Sequence, residues 1–147
     1  MLLAFTAAAS SRKAAGDSVL GAVVSPTPGT HWTDYKGVAI GATTDAVRQK
    51  LGSPKEKGDD QDLYVFSENE SAQFYYDAAH TVTAIMITYS GDIKSAPTAM
   101  QVVGEDAAPR PDGGTSKMVR FPKAGYWIAY NRSGGDDVVI TIAIQKI

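Results

Sequence analysis

Residues 138–145 read Val-Val-Ile-Thr-Ile-Ala-Ile-Gln, and this stretch decides the fold that we predict. Apolar side chains recur at every second position, which is the period of a β-strand with one buried face. Val138, Ile140, Ile142 and Ile144 should therefore form the buried side of a strand, and the residues between them should point the other way.

Shorter segments with the same alternation precede this strand in two groups. Each group follows a segment with helical spacing of apolar residues, and each helical segment ends at a glycine, Gly52 or Gly104. We expect positive φ at both glycines, because a left-handed residue ends many helices and glycine adopts that conformation freely. We predict that the first helix is capped by Thr43 or Thr44 and that the second begins near Ser95. The predicted strands cover residues 62–67, 72–77, 81–89, 117–121, 126–130 and 138–145.

The two groups share landmarks in the same order, which suggests internal duplication. Leu51-Gly52 corresponds to Val103-Gly104, Val65-Phe66 to Arg120-Phe121, and Tyr76-Asp77 to Tyr130-Asn131. We therefore predict an α+β fold of tandem duplicated α-β-β-β units, with an antiparallel sheet and helices on one face. Residues 31–91 would be the first repeat and residues 92–147 the second. The pattern leaves open whether the strands form one sheet or two abutting sheets.

Residues 1–30 differ in composition from the rest of the chain. Residues 1–9 are apolar and end in three alanines, as a secretory signal does before its cleavage site. Residues 10–30 are rich in Ser, Ala, Gly and Pro, which favours a flexible linker. We predict a signal-like segment followed by a linker, with a disordered Ala-rich tail as the alternative. The apolar run is too short for a stable transmembrane span.

Composition argues against several classes of function. The chain has 147 residues, a formal net charge of −2, no cysteine and two histidines. The negative charge argues against nucleic acid as a partner, and the lack of thiols leaves a poor set of zinc ligands. We interpret His31 and His80 as solvated loop residues. No pattern typical of a nucleophile, a metal site or a phosphate loop is present. We expect no catalytic residue, no metal, no cofactor and no enzymatic activity.

The region around the first predicted helix resembles a known family. Residues 38–47 read Val-Ala-Ile-Gly-Ala-Thr-Thr-Asp-Ala-Val and residues 51–54 read Leu-Gly-Ser-Pro. This pattern resembles the entry of the SmpA/OmlA (BamE-type) outer-membrane assembly domain, although the lipidation cysteine of that family is missing here. The β-lactamase-inhibitor-protein family has a similar fold in tandem duplicate. The resemblance implies a cell-envelope location and protein binding without chemistry.

Carried to the other strands, the same alternation places Tyr64, Phe74, Thr83, Ile85 and Ile128 among the inward side chains.

The alternation also predicts which large side chains lie on the face away from the core, namely Val65, Tyr75, Met86, Arg120 and Trp127. Tyr75, Met86, Arg120 and Trp127 are each one position out of step with the buried ladder. These residue types are enriched at binding hot spots, so we predict that the four form a protein-binding site. The alternative is that the N-terminal segment or a dimer partner covers them.

These observations lead to a prediction of function. We expect a non-enzymatic protein-binding module of the cell envelope that acts through an open sheet face. It would be periplasmic, outer-membrane-associated or secreted. Its partner would be another envelope protein, and a homo-oligomer is possible. The alternative function is a small-ligand sensor or carrier with a pocket between helix and sheet.

Overall fold

A computed structural model describes residues 30–147. The predicted signal-like segment and linker therefore lie, except for Thr30, outside the described residues. Eight strands form one antiparallel sheet in the order β1-β2-β3-β4-β8-β7-β6-β5. The elements in chain order are α1 (Thr44–Leu51), β1 (Glu56–Lys57), β2 (Gln61–Val65), β3 (Glu70–Tyr76), β4 (Val82–Tyr89), α2 (Ala99–Val103), β5 (Ala108–Pro109), β6 (Thr115–Phe121), β7 (Tyr126–Arg132) and β8 (Ile140–Lys146).

The predicted α+β class, with tandem α-β-β-β units and helices packed on one face of the sheet, is wrong. The described chain is mostly an eight-stranded antiparallel sheet, and its two helices contain only 8 and 5 residues. Local sequence limits both helices. The first ends at Gly52, and the second cannot start before its cap at Thr98. Period-two alternation dominates the remaining sequence, and it produces strands.

The first helix forms where the sequence predicts it. Thr43 is the N-cap, and its side-chain oxygen accepts a hydrogen bond from the Ala46 N–H at 3.1 Å. Asp45 lies in the first turn, where the helix dipole favours negative charge. Val47 is fully buried in the core. The helix therefore has a favourable start and one buried anchor.

The second helix begins later than the sequence predicts. Thr98, not Ser95, is its N-cap, because Thr98 and Gln101 form a reciprocal capping box. The side chain of Gln101 accepts a hydrogen bond from the Thr98 N–H at 2.8 Å. Val102 and Val103 are buried. Pro97 thus lies before the helix, and five residues remain helical.

One face of the sheet carries the core, as the alternation predicts. Phe74, Ile85, Ile87, Ile128 and Ile142 are almost fully buried. Tyr64, Tyr76, Tyr89, Tyr126, Tyr130, Ile140 and Ile144 surround them. Burial of this apolar area is the main force that stabilises the fold.

Much of the cover over this core comes from the segment before the first helix. Tyr35 and Val38 are buried. They flank a two-residue turn and exchange two backbone hydrogen bonds of 2.9 Å. The Trp32 N–H donates to the Val102 carbonyl, which ties the segment to the second helix. Residues 32–38 thus cover part of the core that we predicted the helices would cover.

A register shift in the sheet corrects one residue of the predicted buried ladder. Tyr75 pairs with Ala84 but Tyr76 pairs with Val82, so the strands are bulged between Tyr75 and Tyr76. Val82 is therefore buried, and Thr83, which we placed inward, is partly exposed. A bulge shifts the side-chain parity of one strand by one residue.

Candidate protein-binding surface

The face of the sheet opposite the core is called the open face here, and its side chains are exposed or partly exposed. Residues directly opposite each other on neighbouring strands share a face, so the ladder registers define rows across it. Row one contains Gln61, Tyr75, Ala84, Gln145, Trp127 and Arg120. Row two contains Leu63, Gln73, Met86, Ala143, Ala129 and Met118. Row three contains Val65, Ser71, Thr88, Thr141, Asn131 and Ser116.

The four predicted site residues all lie on the open face. Tyr75, Trp127 and Arg120 share row one, and Trp127 is directly opposite Arg120. Ala84 and Gln145 separate Tyr75 from Trp127, which makes the distance across the sheet about 14 Å. Met86 lies in row two, one strand from Tyr75. The structure thus brings Trp127 and Arg120 into contact range and spreads the others across the same surface.

The exposure of these side chains suits a contact surface. Arg120 is exposed, and Tyr75, Met86 and Trp127 are partly exposed. The Tyr75 hydroxyl donates to the Gln73 side-chain oxygen at 3.0 Å, which orients the ring along the sheet. A partly packed aromatic ring loses little conformational freedom when a partner covers it.

Sequence reasoning missed several residues of this surface. Met118 is 52% exposed in row two, and Val65, which we placed on this face but left out of the site, is 49% exposed. Ala84, Ala129 and Ala143 lie between the larger side chains and form a low floor. The same alternation that placed Arg120 outward also places Met118 and Ala129 outward. We overlooked them because we weighed residue type more than position.

The alanine floor forms two shallow grooves in the middle of the open face. One has a volume of about 360 Å³ and is lined by Met86, Met118, Ala129 and Ala143 among others. The other has a volume of about 300 Å³ and lies between Tyr75, Ala84, Met86 and Gln145. Met86 lines both grooves. The surface is therefore not flat, and side chains of a partner could enter it.

The open face carries little charge. Among the residues of the three rows, Arg120 has the only formal charge. Glu56 pairs with Leu63 and thus extends row two at the opposite edge of the sheet. A low density of charge in the centre with charges at the rim is typical of protein interfaces.

A larger cleft lies on the core side of the sheet. It has a volume of about 620 Å³ and is lined by residues 31–36, Glu70, Tyr89, Ser95 and Pro97. Helix residues do not line it, so it differs from the helix–sheet pocket that we predicted as an alternative. His31, which we expected to be solvated, stacks on Phe121 with ring centroids 3.6 Å apart. Its Nε2 lies 3.1 Å from the Tyr126 hydroxyl oxygen.

Polar groups in this cleft pair with one another. The Tyr35 hydroxyl donates to Glu70 Oε2 at 2.5 Å, and Lys36 Nζ lies 3.5 Å from the same oxygen. Burial, and next the hydrogen bond to Glu70, raise the pKa of Tyr35 well above its ordinary value, so its hydroxyl keeps its proton. Lys36 also lies over the Phe66 ring, 4.5 Å from its centroid.

A buried ion pair joins the first helix to the sheet. Arg48 donates two hydrogen bonds of 2.8 Å to the Asp62 carboxylate, and the Tyr76 hydroxyl donates a third of 2.7 Å. The Asp62 side chain is fully buried. Burial raises the pKa of Asp62, but the hydrogen bonds from Arg48, Tyr76 and the Gly58 N–H outweigh it, so the pKa is lowered. Both carboxylate oxygens of Asp62 accept hydrogen bonds from within the chain, as does the Gly58 carbonyl from Arg48, which indicates a structural role.

Residues 30–147 contain no group of three or more His, Cys, Asp or Glu side chains that could hold a metal ion. The described helices are too short and too polar to cross a membrane.

Comparison with known proteins gives a likeness in fold. No family model matches the chain, and no curated protein matches it. Among solved structures it is similar to a DUF4309 family protein (YjgB) from Bacillus subtilis subsp. subtilis str. 168, with a TM-score of 0.52 and 17% identity. The match covers 81% of this chain and 88% of that chain. At this identity the likeness concerns the fold alone, and the resemblance to the SmpA/OmlA domain stays a prediction.

Proposed function

We propose that this protein is a non-enzymatic protein-binding module of the cell envelope that acts through its open sheet face. The observation that carries the proposal is the row of Tyr75, Trp127 and Arg120 beside Met86 on an alanine floor. The solvent face of an antiparallel sheet is usually polar. Here it holds two aromatic rings, two methionines and grooves between them.

The chemistry of these side chains supports a protein partner. Trp, Tyr, Met and Arg are enriched in interface cores because they offer large contact areas and few charges to desolvate. Arg120 adds a planar fork of donors beside Trp127. The grooves are shallow, which suits side chains of another protein better than an enclosed small molecule.

The location in the envelope rests on the sequence. The signal-like residues 1–9 and the likeness of residues 38–54 to an outer-membrane assembly domain both favour a periplasmic, outer-membrane-associated or secreted protein. The partner on this proposal is another envelope protein or a second copy of the chain.

Capture of partners on the full chain tests this proposal. Tagged wild type and Trp127→Ala would be incubated with a solubilised envelope fraction and with an untagged copy of the chain. Retained proteins would be quantified by mass spectrometry. Truncation of a central interface aromatic costs about 2 kcal/mol or more, which is roughly a thirtyfold loss of affinity. Trp127→Ala should therefore lose the partner.

Gln49→Ala is the matched control, because Gln49 is exposed on the first helix, away from the open face. It should retain the partner as wild type does. Equal retention by wild type and Trp127→Ala would contradict the proposed function.

A second candidate function is small-ligand binding in the cleft beside Tyr35. Its volume of about 620 Å³ lies within the range of ligand sites, roughly 300–1,000 Å³. Glu70 is the carboxylate on which Tyr35 and Lys36 converge. Thermal-shift screening of wild type and Glu70→Gln with small cationic and neutral metabolites tests it. A shift that Glu70→Gln abolishes would support the candidate, and no shift with any compound would contradict it.

A further inference from the structure

We infer that the partner of the open face is a second copy of this chain. Two sheets would pack face to face about a twofold axis that runs along the strand direction between β4 and β8. The inference rests on the proposed function, because it names the partner of the same surface. Symmetric dimers of this kind bury one surface patch on both copies.

The shape of the open face is self-complementary under this rotation, because large side chains at its centre face small ones. The axis lies between β4 and β8, so each residue meets the residue of the same row on the other side of the axis. Met86 then faces Ala143 of the second copy, and Ala143 faces its Met86. A large side chain thus enters the groove above a small one, twice, at the centre of the interface.

The next strands outward bring aromatic rings of the two copies together in row one and place a long side chain opposite a short one in row two. Tyr75 on β3 faces Trp127 on β7 of the second copy, since both lie in row one. Two pairs of aromatic rings would therefore flank the central methionines. Aromatic pairs contribute stabilisation beyond the area that they bury. In the same way Gln73 faces Ala129, again a long side chain opposite a short one.

The charges at the two edges fit the same axis. Glu56 extends row two beyond β2 at one edge, and Arg120 lies on β6 toward the other edge. The rotation places Arg120 of one copy opposite Gln61 of the other, with Glu56 of that copy one strand and one row away. The backbones of Arg120 and Glu56 would then be about 13 Å apart, a span that these two long side chains bridge, which gives two symmetric pairs of opposite charge. Rotation about an axis across the strands would instead leave both charges without an opposite partner. The edges therefore favour the axis along the strands.

The size of the face is close to that of a dimer interface. Six strands at about 4.8 Å spacing and seven residues at about 3.3 Å rise give a flat area of roughly 29 Å by 23 Å. Protruding side chains add to the accessible area of this surface. A stable interface buries about 800 Å² on each partner. The chain also buries no large charge cluster on forming the contact, because Arg120 is the only charged residue in the three rows.

Cross-linking of single-cysteine variants tests the geometry. The chain has no cysteine, so an introduced thiol is unique. Gln73→Cys and Ala129→Cys would be mixed in full-length form and treated with a short bismaleimide. Facing sheets lie about 10 Å apart, and within one copy these two positions are about 14 Å apart. The mixture should give a cross-linked heterodimer at least tenfold faster than either variant alone, in which the two thiols of a dimer are about 17 Å apart.

Sedimentation equilibrium of full-length Ala143→Arg tests the interface itself. Wild type should be a dimer, and the variant should dissociate at least tenfold more readily, because two arginines would meet near the axis. Gln49→Arg, on the exposed side of the first helix, is the control with the same change in charge. It should remain a dimer, and circular dichroism would confirm that both variants are folded.

The outcomes separate this inference from the proposed function. A wild-type chain that stays monomeric at every concentration, or a mixture that cross-links no faster than the single variants, overturns the dimer. If that monomer still captures a different protein through Trp127, the proposed function stands and the second copy is excluded as the partner. If nothing binds through Trp127, both are overturned.

Discussion

Gly52 and Asp62 occupy environments in the described chain that few other residues could share. Gly52 follows the first helix with φ 87° and ψ −161°, a backbone region that is almost restricted to glycine. Gly104 follows the second helix with φ 79°. The sequence predicted positive φ at both positions, and this is confirmed. Asp62 accepts hydrogen bonds from three residues while fully buried. Gly52 ends the first helix, and Asp62 ties that helix to the sheet through Arg48.

Replacement of Gly52 by alanine measures the free-energy cost of placing a non-glycine residue in this backbone conformation. A Cβ at this position meets no atom within 4 Å, so steric contact adds nothing. We expect Gly52→Ala to lower the free energy of unfolding by about 1–3 kcal/mol, measured by urea denaturation. Ser53→Ala, at the exposed neighbouring position, should change it by less than about 0.5 kcal/mol. Equal values for the two variants would contradict the backbone argument.

Replacement of Asp62 by asparagine tests the buried ion pair. The variant replaces the carboxylate with a neutral amide, so the hydrogen bonds from Arg48 lose their charge assistance, while the Arg48 side chain is 24% exposed to water. We expect the free energy of unfolding to fall by about 1.5–3 kcal/mol. The folded pKa of Asp62 is lowered, so its stabilisation is present above the unfolded value of about 3.9 and is lost as pH falls through the folded pKa. The stability difference between wild type and Asp62→Asn should therefore be constant near pH 7 and shrink below about pH 4.

Urea denaturation across this pH range gives the measurement. Asp59→Asn, at an exposed position of the loop that precedes β2, controls for the change in net charge. A difference that persists unchanged at the lowest pH would show that the Asp62 charge does not supply the stability.

At the scale of elements, strand alternation governs both the core and the candidate site. In β7, Trp127 points to the open face and Ile128 to the core, where Ile128 is fully buried. The two adjacent residues thus have opposite roles that follow from parity alone.

These two positions give a matched pair of variants. Ile128→Ala should lower the free energy of unfolding by about 2–5 kcal/mol, because it leaves a cavity in the core. Trp127→Ala should lower it by about 1 kcal/mol or less, as is usual for a partly exposed strand residue. Both are measured by urea denaturation under conditions in which the chain is monomeric. A larger loss for Trp127→Ala would contradict the assignment of Trp127 to the binding surface.

The sequence predicted strand faces well because period two is a local property. Tyr64, Phe74, Ile85, Ile128 and Ile142 all lie inward as expected. Features that depend on competition between neighbouring residues were harder to predict from the sequence. The start of the second helix depended on a capping box that outcompeted Ser95, and the inward position of Val82 depended on a bulge at the adjacent Thr83. The two-residue edge strands carry no periodic pattern, so the sequence could not predict them.

At the scale of the whole molecule, the sheet order keeps each half of the chain together. Strands β1 to β4 occupy one side and β5 to β8 the other, joined by pairing of β4 with β8.

The pairing of residues within the strands changes one predicted correspondence between the two repeats. Val65 pairs with Ser71, and Arg120 pairs with Trp127. If Val65 corresponds to Arg120, then Ser71 corresponds to Trp127. Three residues further along each strand, Phe74 rather than Tyr76 then corresponds to Tyr130. The division into repeats at residues 31–91 and 92–147 stays a prediction, which superposition of the two halves tests.

The candidate site is also a property of the whole sheet. Parity alone placed Tyr75, Met86, Arg120 and Trp127 outward, but only the order of strands decides that they share one surface. Pairing of β4 with β8 joins residues that are far apart in sequence. That pairing is a long-range contact, and no local pattern specifies it.

Hydroxyl-radical footprinting of the full chain tests whether the open face is the binding surface. The tagged protein would be labelled alone at low concentration, and again after incubation with the solubilised envelope fraction and an excess of untagged chain. Met86, Met118 and Trp127 should be oxidised in the dilute protein and protected several-fold in the assembly. Met100, on the second helix and partly exposed, should be oxidised equally in both. Unchanged oxidation of Met118 and Trp127 on assembly, or protection of Met100 alone, would contradict the claim that the open face is where this protein binds.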